Sequence, residues 1–172
     1  KPSPKNWRKH IIGFTTGAAP GIYYLQQSIR DKRYKLILNP LAESADRTSL
    51  FAEAYLNQYN SHFIAGCTAQ EIATSSQTMQ LAYERFLTPP PFELYDLQKD
   101  PYEFVNLADS LSHATTKERL IAAFHDWQKE TSDPLANADI LKSFTRSQLD
   151  AIDTNYRQDK TFRWPYLDEF RK

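Results

Sequence analysis

Glu93, Asp96, Asp100 and Glu103 stand within a short run. Closely spaced acids of this kind suit general acid–base catalysis or a cation site. Pro101 sits among them, however, and changes the reading. Proline presets φ at the second position of a turn, and Asp100 just before it can accept backbone amides, so turn-building accounts better for these acids. The histidines, His10, His62, His113 and His125, fall at no zinc spacing such as H-x3-H. His125, next to Phe124, reads as a partly exposed or capping group. His10 and His62 lie in less regular stretches that can approach a neighbouring domain. Cys67 is the lone cysteine, which excludes an internal disulfide, leaves the redox compartment open and reads as a small buried or loop thiol. There is no G-x-S-x-G, and the glycines form no phosphate loop. Aromatics make up 13% of the chain; a sugar-stacking platform would use them, but rings on strand and helix faces usually serve as core.

A length of 172 residues suffices for one domain with a real core. Hydrophobic residues reach 41%, so folding is expected. Lys plus Arg equals Asp plus Glu at 21 each, which leaves no global field to draw nucleic acid. The basic group Lys5, Arg8 and Lys9 reads as solvated surface. No apolar run approaches the ~18 residues of a membrane span, and no signal peptide is visible. The chain begins at Lys1, and we read it as a piece of a longer polypeptide in which a signal sequence can precede it.

Residues 1–8 read as a linker or trimmed boundary, 9–134 as the main domain and 135–172 as an extension docking on that domain or on a partner. Ile11–Thr16, Ile22–Arg30 and Tyr34–Leu38 are expected strands, punctuated by Gly17–Gly21, Asp31–Arg33 and Asn39-Pro40. The short Asp31–Arg33 link implies an antiparallel hairpin. A helical insertion should follow. Leu50, Phe51, Ala54 and Tyr55 recur at helical spacing, then a Thr68–Glu71 capping box precedes a face of Ile72, Met79, Tyr83 and Phe86. Pro89-Pro90-Pro91 ends the helix, since prolines lack the amide donor. Thr115–Glu118 is another capping box, opening a 116–131 helix with a Leu120, Ile121, Phe124 and Trp127 stripe, closed by Asp133-Pro134. In the tail, Thr145–Gln148 should cap a helix whose face carries Leu149, Ile152 and Tyr156. Phe162, Trp164, Pro165, Tyr166, Leu167 and Phe170 are too apolar for a free terminus. The whole reads as α+β: a small antiparallel sheet of about four strands, a packed C-terminal helix and a helical insertion.

Between the triple proline and the 116–131 helix lies Phe92 to Ala108. Phe92–Leu97 suits a short strand, Asp100-Pro101 a turn, and Glu103 and Asn106 can bind backbone groups of that turn. Leu107 should tuck under the strand. Glu93, Leu94, Tyr95, Asp96, Leu97, Asp100, Pro101, Glu103, Asn106, Leu107 and Ala108 make up E-L-Y-D-L-x-x-D-P-x-E-x-x-N-L-A. This run resembles the C-terminal signature of the sulfatase family. Tyr23-Tyr24 ahead of Ile29–Leu36, and Trp127–Pro134, are similar to the heparan N-sulfatase (N-sulfoglucosamine sulfohydrolase) subgroup. The resemblance covers roughly residues 9–134.

What the resemblance implies is a non-catalytic C-terminal domain, whose partner is an N-terminal sulfatase catalytic domain acting on a sulfated sugar, such as a glycosaminoglycan. Formylglycine, made in a C/S-x-P-x-R context, and calcium would belong to that parent domain, whose location would be periplasmic, secreted or lysosomal. Cys67 is followed by Thr68-Ala69-Gln70-Glu71 and lacks the Pro and Arg of that context. Catalytic and metal-binding residues are therefore expected to be none here, and no substrate-binding residue is assigned. The alternative is a stand-alone interaction or carbohydrate-binding module derived from a sulfatase. Purified chain supplied with calcium should not turn over an aryl sulfate; measurable release of sulfate would refute this reading.

Overall fold

Four short segments, each carrying a β-branched, aromatic or leucine residue toward the core, pair into one antiparallel sheet. A computed structural model describes residues 8–16, 23–43, 69–152 and 154–169. Its strands are β1 (Ile11–Thr15), β2 (Gln26–Arg30), β3 (Tyr34–Leu38) and β4 (Phe92–Asp96), in the order β1-β2-β3-β4. The α+β expectation holds, with strand ends slightly shorter. Tyr23 and Leu25, read as part of the second strand, leave the sheet to join a separate apolar cluster with Leu41, Leu135 and Phe144. The β2–β3 turn is built on Asp31, whose Oδ1 accepts the Arg33 and Tyr34 amides, both at 2.7 Å.

Register decides the faces. Ile29 pairs with Leu36, which pairs with Leu94, so all three point to one side. There they meet Leu120 and Phe124 of the long helix, with Ala108 beneath. Burying side chains of this size contributes roughly 1.5–3 kcal/mol each. The other face carries Lys35, Ile37, Glu93 and Tyr95.

The helices differ from expectation in their starts. The insertion contributes two described helices, α1 (Ala69–Ala73) and α2 (Gln77–Leu87), rather than one. Ser75 Oγ donates to the Ile72 carbonyl at 2.7 Å, and Ser76 becomes a new N-cap accepting from the Met79 amide. Side-chain bonds of this local kind compete with helix continuation. The Leu50–Tyr55 stretch, His62, Cys67, Thr68 and Phe170 lie outside the described residues.

Helix α3 spans Ala114–Thr131 and follows a 3-10 turn at Leu111–His113. Thr115 is thus inside the helix and caps nothing, because the preceding turn already runs into it. Its end matches the reading: Ser132 adopts a left-handed φ of 53°, and Asp133 then accepts from the Leu135 amide and from Gln128 Nε2. Leu120 and Phe124 are the deepest of the stripe, whereas Trp127 is only partly buried.

In the tail, α4 (Ala138–Asp150) starts at the N-cap Asn137, whose Oδ1 accepts the Asp139 and Ile140 amides. Thr145 and Gln148 are buried inside this helix instead of capping it. Its apolar face, Leu141, Phe144 and Leu149, begins earlier than the reading placed it, and Ile152 and Tyr156 lie past its end. Thr145 Oγ1 is 2.9 Å from Tyr23 Oη. Burial pushes the Tyr23 phenol up to about 12, against the opposing effect of that bond. A final turn, α5 (Tyr166–Glu169), sets the Tyr166 ring edge-on to Phe144 at 4.7 Å. No described helix is long and apolar enough to cross a membrane.

Phe124→Ala should cost ~3–5 kcal/mol, as large-to-small core changes do. Trp127→Ala, at the half-exposed end of the same stripe, should cost less. Denaturant melts of both would refute this packing if Trp127→Ala proved the more damaging.

Candidate functional site

The signature run folds back on its own strand. β4 is an edge of the sheet and, among the described residues, pairs only with β3, so half of its amides and carbonyls face away from the ladder. Asn106 fills that edge. Its Oδ1 accepts the Leu94 amide at 2.9 Å, its Nδ2 donates to the Phe92 carbonyl at 3.2 Å, and Oδ1 also accepts the Ala108 amide at 2.9 Å. The Leu107 amide donates to the Leu94 carbonyl at 2.8 Å. Leu107 itself packs against the core, as expected.

Between β4 and Asn106 the turn is held by acids. Asp100 Oδ2 accepts the Val105 amide at 2.7 Å. Pro101, exposed, follows it in the turn. Asp96 accepts a two-pronged contact from Arg33, with Nη2 to Oδ2 at 2.7 Å and Nε at 3.1 Å from both oxygens. It also accepts the Gln98 amide. The guanidinium, more than any other group, holds the Asp96 carboxyl below the usual carboxylate range.

Glu103 differs from the reading. Its side chain binds no turn amide; it pairs with Lys35 Nζ at 2.8 and 2.9 Å. Its backbone is left-handed, at φ 60°, a conformation that disfavours residues with a Cβ by about 1–2 kcal/mol. Arg85 of α2 grips the same bend, reaching the Glu103 carbonyl at 3.4 Å and the Phe104 carbonyl at 2.9 Å. The carboxylate and the carbonyl are each captured by a cation, which offsets the strain.

Beneath lies a buried chain of polar groups. Arg85 Nη1 donates to Tyr95 Oη at 3.0 Å, and Tyr95 Oη donates in a short contact to Glu93 Oε2. Glu93 Oε1 accepts from Asn39 Nδ2 at 2.9 Å. Burial, together with the Glu93 carboxylate, pushes the Tyr95 phenol far up, so it stays protonated. Asn39 also donates through Nδ2 to the Pro90 carbonyl at 2.7 Å, and its backbone amide donates to the Pro91 carbonyl at 2.9 Å.

These groups are engaged with one another and with the backbone; among the described residues they form no nucleophile–base pair. A groove of about 910 Å³ opens elsewhere, between β1 and α3, floored by Ile12 and Trp127, with Arg8 and His10 on one lip and Asp126 and Glu130 on the other. His125 is exposed, and His113 Nδ1 lies 3.1 Å from Ser110 Oγ. No group of three His, Cys, Asp or Glu side chains gathers as a metal site among the described residues. Arg33, Lys35, Asn39 and Arg85 escaped the sequence reading. Arg33 and Asn39 read only as turn and strand-stop residues, and contacts across 10 to 68 positions leave no periodic signal.

No family model matches the chain. Over 108 residues, 63% of its length, it is 32% identical to an ulvan-active sulfatase of Formosa agariphila. That likeness supports a relationship to the sulfatases. The chain spans only 18% of that relative's length, as a fragment-sized domain of a sulfatase would.

Asp96 supplies a pH test. Its folded carboxyl titrates below its ordinary value, so its contribution is present above the unfolded pKa of about 3.9 and is lost as pH falls through the lower folded value. Asp96→Asn should therefore flatten the loss of stability below pH 4. Equal acid steepness in the two proteins, by melting temperature against pH, would refute the pairing.

Proposed function

We propose that this chain is the C-terminal, non-catalytic domain of a sulfatase that hydrolyses sulfated sugars. The observation that carries the reading is the partial match: most of this chain aligns with under a fifth of a sulfatase. The signature supports it chemically. Asp100 and Asn106 spend side-chain oxygens on backbone amides, the engagement expected of turn- and edge-building groups rather than of groups held free for substrate. A cleft lined with bare carboxylates would also repel an anionic substrate. The domain therefore supports the catalytic domain and contributes, at most, a rim of its cleft.

In this reading the catalytic domain lies N-terminal to the chain and carries the formylglycine nucleophile and the calcium that neutralises sulfate charge. Cys67 lacks the sequence context for that conversion. The parent acts outside the cytoplasm: periplasmic, secreted or lysosomal. Its substrate is a sulfated polysaccharide. The signature-flanking residues favour an N-sulfated glucosamine in a glycosaminoglycan, whereas the relative is named for ulvan. Sulfate release from N-sulfated against O-sulfated sugars by the full-length parent distinguishes these.

The structural role of the signature is tested in the same parent. Asp100→Ala should lower stability by ~1 kcal/mol, the usual value of a turn hydrogen bond. Asn106→Ala should lower it more, by ~1–3 kcal/mol, because the Leu94 amide is left without its acceptor. The folded fraction of each should keep near-normal turnover. A variant that melts like the wild type yet loses turnover a hundredfold would move the signature into the active site.

A further inference from the structure

Past α4 the chain gathers four aromatic rings. Tyr156, Phe162 and Trp164 pack against one another at centroid distances of 5.0 to 5.7 Å, and Trp164 lies 5.6 Å from Tyr166. Tyr166 anchors this group to the second apolar cluster through Phe144. The other three belong to neither apolar cluster and are only partly buried. A hydrophobic core would bury rings of this size. Here they form a shallow aromatic surface on a loop.

The same segment carries three cations. Arg157, Lys160 and Arg163 are all exposed. The Arg157 guanidinium lies over the Tyr156 ring at 5.6 Å and donates to Tyr156 Oη at 3.0 Å. Arg163 meets Asp168 at 3.4 Å, with both side chains about 70% exposed. An exposed pair of that kind contributes little and exchanges readily for another anion. Asp159, also on the loop, has its carboxylate turned to the Thr161 amide at 2.8 Å and hydroxyl at 2.6 Å. Hydrogen bonds from Thr161 hold it below the usual carboxylate range, so it stays charged beside the patch.

We infer that this aromatic and basic patch is a binding site for a sulfated polysaccharide. Sugar rings present C–H faces that rest on aromatic side chains, and sulfate groups at their edges suit guanidinium and ammonium donors. The inference rests on the proposed sulfated-sugar substrate and adds a place where the polymer is held. The occupant is a polyanionic chain rather than a neutral one, because from Tyr156 to Asp168 the exposed Arg157, Lys160 and Arg163 outnumber the acids, Asp159 and Asp168.

The test is affinity electrophoresis of the intact protein through gels containing dextran sulfate, heparin or neutral dextran. Wild type should be retarded by the sulfated polymers and not by neutral dextran. Trp164→Ala should weaken retention roughly tenfold, Trp164→Phe should restore much of it, and the melting temperature should change little, since Trp164 lies outside both clusters. Arg163→Gln, at an exposed site, should weaken retention severalfold and provides a second readout if Trp164→Ala does not fold. Unchanged retention in Trp164→Ala would overturn the site. So would loss in the arginine variant alone, which would mean plain ion exchange, or equal retention by neutral dextran. Hydrolysis of a small aryl sulfate by the parent is read separately. Its absence would remove the sulfatase reading without touching the binding result, whereas the patch predicts that Trp164→Ala raises KM for polymer and leaves the small ester alone.

Discussion

The fold depends on how an edge strand is sealed. A strand with one neighbour presents unpaired amides and carbonyls, which invite pairing with other chains and weaken the sheet. Here β4 is closed by its own continuation: Asn106 supplies an acceptor and a donor, and Leu107 a further donor. One asparagine thereby replaces part of a fifth strand. The geometry requires the chain to reverse between Asp96 and Asn106, which explains why acids, a proline and a left-handed residue crowd into that interval.

The two sheet faces then divide the remaining tasks. The Ile29, Leu36 and Leu94 face takes the α3 stripe and supplies most of the apolar burial. The opposite face holds the Arg85–Tyr95–Glu93–Asn39 chain of hydrogen bonds. No buried side-chain polar atom lacks a partner among the described residues. Such networks are costly when half made and rigid when complete, and this one ties α2 to β4 and the signature bend to β3. It is a means of fixing one surface in place.

Much of this was legible in sequence. Short apolar runs and turn residues located the strands, the apolar spacing found α3, and Asp100 as an amide acceptor and Leu107 as a core residue followed from residue chemistry; Asn106, read onto the turn, instead bonds the backbone of β4. Helix starts were less legible. Thr115 and Thr145 fit capping patterns, but a 3-10 turn before one and Asn137 before the other began the helices earlier. The pattern of a capping box cannot report which candidate cap the preceding chain reaches first. Glu103 was misread because its partner, Lys35, lies on another strand, and no local spacing encodes that meeting. Arg85 was missed for the same reason.

Asn39 also joins two points far apart in the chain. Its backbone and side-chain amides hold the carbonyls of Pro91 and Pro90, so the polypeptide leaves the sheet after β3 and returns to it through a neck one hydrogen bond wide. The described parts of the excursion are tied back beyond this neck as well, by Leu41 in the second apolar cluster and by Arg85 at the signature bend. Closing a loop costs free energy that grows only with the logarithm of its length, about 0.6 kcal/mol per doubling. Evolution can therefore lengthen, shorten or exchange this loop while the sheet beneath keeps its register. Arg85, the residue that reaches from the excursion back to the signature, marks how close to the neck such editing can come before the two cease to be independent.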